Sequence, residues 1–80
     1  MEEQKIKCDI CIGDNLKKLR ISHGYSQDKL CAELQRRGCG IGRTTYAKYE
    51  YGELNVRISV LRQLKAIYDC NYNDFFEGID

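Results

Sequence analysis

No stretch of this 80-residue chain comes near the roughly 20 consecutive apolar residues that a membrane-spanning helix needs. Lys5 and Lys7 precede no uninterrupted apolar block, so a secretory leader is not expected and a cytoplasmic location is. Strand-like alternation, internal repeats and low-complexity tracts are all missing. So is any grouping of nucleophile, base and acid, any phosphate-cradling glycine loop and any pair of carboxylates. Enzymatic activity, a cofactor and a small-molecule substrate are therefore not expected. Histidine occurs once, as His23, where a helix ends; it reads as a surface residue favourable to the helix dipole rather than as a ligand or catalyst.

Cysteine, by contrast, is plentiful: Cys8, Cys11, Cys31, Cys39 and Cys70. An odd count without a secretion signal reads as reduced thiols, not a disulfide framework. Cys31 and Cys70 fall on apolar faces and read as small core side chains. Cys8-Asp9-Ile10-Cys11 is a C-x-x-C pair, but a structural zinc site wants four ligands. Cys39 and His23 are the further candidates not expected to be buried, and nothing in the pattern brings them together. No metal is expected; a thiol-responsive sensor built on Cys8 and Cys11 is the weakest of the functional readings.

Net charge is only +1, and its distribution says more than its size. Between Gly13 and Lys48, eight bases (Lys17, Lys18, Arg20, Lys29, Arg36, Arg37, Arg43, Lys48) face three acids, a net +5. From Tyr49 onward three bases face six acids, a net −3. A basic middle and an acidic end suggest one face toward a polyanion and one away from it. With 42% apolar and 31% charged residues the chain is of globular type, and its length gives a single core.

Taken in order, residues 1–11 read as a polar arm, 12–77 as one domain and 78–80 as a tail. A first helix should start near Ile12 to Asp14 and run to Ser22, with Ile12, Leu16 and Leu19 inward and His23-Gly24 ending it. Ser26 is an N-cap for a second helix reaching about Arg37 and burying Leu30, Cys31 and Leu34. Gly38-Cys39-Gly40 breaks it, and Ile41 tucks under the turn. Gly42 caps a third helix whose inner face is Tyr46 and Tyr49 and which Tyr51-Gly52 closes. After a loop from Glu53 to Arg57, a fourth helix from Ile58 to Tyr68 should bury Ile58, Leu61, Leu64, and Ile67 or Tyr68. Asn71 caps a short fifth helix, Tyr72 to Phe76, with Phe75 and Phe76 over the core. The expected class is all-α, with the pair of helices from about 26 to 52 at its centre.

Two stretches, GDNLKKLRISHGYSQDKLCAEL and RTTYAKYEYG, resemble the Cro/λ-repressor-like helix-turn-helix domain, the XRE family; LRQLKAIYDCNYNDFF fits its last two helices. The resemblance implies a compact five-helix domain that binds double-stranded DNA as a homodimer, a regulator of the repressor type. It implies base contacts from Gln27, Arg43, Thr44 and Lys48, with Gln27 also within reach of a phosphate. Ser26, Thr45 and Arg57 would contact phosphates, and Arg20 with Glu50 would form a partly buried salt bridge. An arginine can bind guanine O6 and N7 as a pair, and threonine can bond a base or set its methyl against thymine.

Of three departures from the family pattern, the longer turn and Cys31 bear on the docking angle, and Gly42 weakens one expected phosphate contact. The chain from Gln27 to Arg43 is longer than the family's compact turn. Extra residues around Gln35 to Gly40 should lengthen the second helix and loosen the connection. Arg36 and Arg37 lie there and become further phosphate candidates. Cys31 stands where the family usually has alanine, and Gly42 replaces a Ser or Thr cap. The alternative reading is a protein-interaction module, such as an antitoxin or anti-repressor, that keeps the fold for a protein partner.

Overall fold

The computed structural model describes residues 12–78. The expected arm, with Cys8 and Cys11, lies outside the described residues, as do the last two positions of the tail. Among the described residues there are four α-helices and no strand: α1 (Gly13–Ser22), α2 (Gln27–Arg36), α3 (Arg43–Tyr51) and α4 (Ile58–Tyr68). The expected fifth helix, Tyr72–Phe76, is a 3-10 helix rather than an α-helix. Its beginning is held by the Asp74 carboxylate, which accepts from the Asn71 backbone N–H at 3.1 Å.

Hydrophobic spacing explains which faces turn inward. Leu16 of α1, Leu30 and Leu34 of α2, Tyr46 of α3, Val60 and Leu64 of α4, and Phe75 are fully buried in one core. Ser26 opens α2 as a side-chain cap, its Oγ accepting from the Lys29 N–H at 3.1 Å. Two positions differ from the sequence reading. Ile58, the first residue of α4, is 69% exposed while Val60 is fully buried. The inward face of α4 is Val60, Leu61, Leu64 and Tyr68, a stripe that Ile58 precedes and does not share. Phe76 is likewise half-exposed beside a buried Phe75, because neighbours on a 3-10 helix point about a third of a turn apart. Cys31 is buried as expected, whereas Cys70 and Cys39 are half-buried against the core.

All four helices stop in the same way. A backbone N–H reaches back five residues to a carbonyl in the last turn: Tyr25 to Arg20, Cys39 to Leu34, Glu53 to Lys48 and Cys70 to Lys65, at 2.8–3.2 Å. This closure tightens the connection between α2 and α3, which the extra residues were expected to loosen. Gly38, at φ +89°, takes the left-handed conformation the motif requires. Gln35 Nε2 then donates to the Ile41 carbonyl at 3.3 Å, and Ile41 is buried as an anchor. At α4 the left-handed position is filled by Asp69, at φ +52°.

Two contacts fix α1. Asn15 Nδ2 donates to the carbonyls of Phe75 (2.8 Å) and Glu77 (2.9 Å), tying the C-terminal segment across the helix. Gly13 brings backbone against backbone: a β-carbon there would fall 2.8 Å from the Tyr49 carbonyl oxygen and collide with that of Glu50. The start of α1 and the end of α3 are therefore in direct contact.

Candidate functional site

The two faces of α3 are chemically opposite. Tyr46, Tyr49 and Glu50 are buried, whereas Arg43, Thr44, Lys48 and Tyr51 are exposed and Thr45 and Ala47 half-buried. Gly42 supplies no side-chain cap, so the first turn of α3 is closed by none of its neighbours' hydroxyls. On the outer face Gln27, Arg43, Thr44, Ala47, Lys48, Tyr51 and Glu53 line an open hollow of ≈ 380 Å³. The four residues expected to reach base edges thus share one surface. Tyr51 and Glu53, also on that rim, were not anticipated, since neither helical period nor family pattern marks them.

Gln27 is joined to the interior. Glu50 takes two bonds from the Arg20 guanidinium (Nε at 2.7 Å, Nη2 at 3.2 Å), and Arg20 Nη1 also donates to the Tyr25 carbonyl at 2.9 Å. Both side chains are nearly out of solvent, 11% and 3% exposed. Gln27 Nε2 donates to Glu50 Oε1 at 3.1 Å, and Arg43 Nε stands 3.5 Å from Gln27 Oε1, the outer limit of a hydrogen bond. Arg43 Nε is also 3.6 Å from Asp28 Oδ1. A polar chain therefore runs from the core ion pair through Gln27 to the outer face of α3.

The electrostatics follow from burial and bonding. Desolvation pushes the Glu50 carboxyl up, but the hydrogen bonds from Arg20 and Gln27 and the nearby guanidinium charge outweigh it, and the net shift is downward. The bond to Glu50 raises Arg20 in turn. Burial raises the Tyr46 and Tyr68 phenols well above the usual range, so both stay protonated. Burial also raises the Cys31 thiol, which makes it an unreactive core group.

The expected phosphate residues divide into three groups. Ser26 is exposed at the start of α2, its Oγ accepting from Lys29, and Thr45 is half-buried in the first turn of α3. Arg57 and Arg37 line a second hollow of ≈ 220 Å³ with Ser59, Gln63 and the Gly38–Ile41 turn. Arg36 and Arg37 both bind the Glu33 carboxylate, Arg37 through Nε at 2.8 Å, and pull it below its usual range. Arg36 lines neither hollow. Among the described residues no group of three or more His, Cys, Asp and Glu could hold a metal ion, and no helix is long and apolar enough to cross a membrane.

Comparison with known proteins adds to this geometry. The family described as Helix-turn-helix matches residues 16–75. The chain is 35% identical over 66 residues to a Bacillus subtilis (strain 168) protein named SPbeta prophage-derived uncharacterized HTH-type transcriptional regulator YonR. That alignment takes in 82% of this chain but 56% of the relative, so the chain spans little more than half the relative's length. No solved structure matches.

Proposed function

Since the chain belongs to the helix-turn-helix family, we propose that it is a sequence-specific DNA-binding transcriptional regulator, a repressor in type, that inserts α3 into the major groove. The observation that carries this reading is the shared hollow. Gln27 at the start of α2 and Arg43, Thr44 and Lys48 on the outer face of α3 line it together, while Tyr46 and Tyr49 hold the opposite face of α3 in the core. An arginine and a lysine offer donors to guanine, and threonine suits either a base edge or a thymine methyl. Ser26, Thr45 and Arg57 would set the register by holding phosphates, as would Arg37, which lines a hollow with Arg57. The relative's name as a transcriptional regulator supports the same reading.

A two-fold operator calls for a second copy, with half-sites about one helical turn, roughly 34–36 Å, apart. The surface we assign to it is the hollow at the far end of α3, where half-exposed Leu54 and Phe76 and the more exposed Ile58 stand with Ile12. NMR titration of labelled protein with a random duplex, at low and then moderate salt, tests the DNA reading. Shifts at Gln27, Arg43 to Lys48 and the loop ending at Arg57, fading as salt rises, are the expected result. An α3 left unperturbed would reject DNA and turn the search to a protein partner.

A further inference from the structure

Asp28 is out of place on a face that meets a polyanion. It stands in the first turn of α2, 73% exposed, with its Oδ1 3.6 Å from the Nε of Arg43. The helix does not need this carboxylate as its side-chain cap, because Ser26 Oγ already fills that role. What Asp28 does touch is the arginine at the head of α3, whose Nε is shared with Gln27 Oε1 at 3.5 Å. The contact joins the beginnings of α2 and α3, the two helix ends that line the same hollow through Gln27 and Arg43.

We propose that Asp28 is a specificity-determining residue that restrains Arg43 until a guanine edge displaces it. The inference rests on the DNA-reading role of α3 argued above. A lone phosphate oxygen offers Arg43 little that Asp28 does not already offer: one anionic acceptor at an exposed site. Guanine O6 and N7 accept two bonds at once, in a fixed fork that a carboxylate 3.6 Å from Nε does not supply. An exposed ion pair is weak, so Asp28 does not lock the arginine; it lowers the affinity for arbitrary DNA more than for a guanine edge. The charge also repels nearby phosphates over about 10 Å at 0.1 M salt.

Fluorescence polarisation tests this with wild-type protein, Asp28→Asn, Arg43→Ala and the double variant. The probes are a random duplex of roughly 20 base pairs and a duplex selected from a random pool by the wild-type protein, from about 50 to 200 mM salt. Asp28→Asn is isosteric and exposed, and a thermal melt by circular dichroism verifies its fold. It should bind the random duplex about three- to tenfold more tightly at low salt, steepen the salt slope by about one, and narrow the ratio of selected to random affinity. In the Arg43→Ala background most of that gain should vanish. Random-duplex affinity within twofold of wild type, or a gain of equal size with and without Arg43, overturns the proposal. Wild-type protein that binds neither probe at low salt overturns the DNA reading itself, and this inference with it.

Discussion

Glu50 serves two sides of the molecule through its two oxygens. Oε2 takes Arg20 Nε, and Oε1 takes both Arg20 Nη2 and Gln27 Nε2. Replacing Glu50 with Ala strands a guanidinium that is 11% exposed, a change that costs about 3–5 kcal/mol and unfolds much of so small a domain. Thermal melts of Glu50→Ala measure it. Because the folded carboxyl titrates below its usual range, its stabilisation is complete at neutral pH. It is lost as pH falls below the ordinary carboxylate value of about 4.3 and through the lower folded one. Urea midpoints should therefore drop on acidification in wild-type protein, and a pH-independent midpoint between about 6 and 3 would contradict the account. At the outer end of the same polar chain, Arg43→Ala should relax the preference at one base position, about 1–3 kcal/mol, leaving other positions unchanged. Competition binding with single-base variants of a selected duplex reads this out. Arg20 and Glu50 were legible from the sequence as a pair, because the family pattern marks both. Gln27's bond to Glu50 and Asp28's approach to Arg43 were not, because each depends on how two helices meet.

At the scale of elements, all four α-helices could be read from spacing and caps, and Ser26, Gly24, Gly38 and Gly52 stand where their ends were expected. Misreadings came at edges. Ile58 fits the apolar period of α4 but sits at its first position, ahead of the inward stripe. The Tyr72–Phe76 segment carries an N-cap signal, yet it winds as a 3-10 helix with one inward aromatic. The connection between α2 and α3 looked loose by length, whereas its closing hydrogen bonds and the buried Ile41 make it specific. The closure of α4 differs from the others in one respect. Asp69 adopts a left-handed conformation that glycine holds without strain, and puts a negative charge at the negative end of the dipole. Asp69→Gly should stabilise the domain by about 0.5–1 kcal/mol, a rise of a few degrees in Tm by scanning calorimetry. No rise would mean that Asp69 makes a compensating contact.

For the molecule as a whole, charge and apolar surface are partitioned. Arg43 and Lys48 line the hollow on α3 and Arg37 and Arg57 the one at the turn, whereas Ile12, Leu54, Ile58 and Phe76, with Glu53 at the edge, stand around a hollow of ≈ 600 Å³. A charge at the centre of that apolar patch should separate assembly from folding. Ile58→Glu, at a residue already 69% exposed, is expected to leave Tm within a few degrees and to weaken self-association at least tenfold in sedimentation equilibrium. Unaltered association would move the second copy elsewhere. The overall class and the outward residues of α3 were legible because period and motif agree. The apolar hollow was not, since it is assembled from three separate parts of the chain. The contact at Gly13 carries a consequence for motion. With no side chain between them, the first turn of α1 and the last turn of α3 have nothing soft to slide on. The two should open as one cooperative unit, so that their backbone amides exchange with solvent at matching rates. A push on the far side of α1 would then be passed to α3 without a side chain to absorb it.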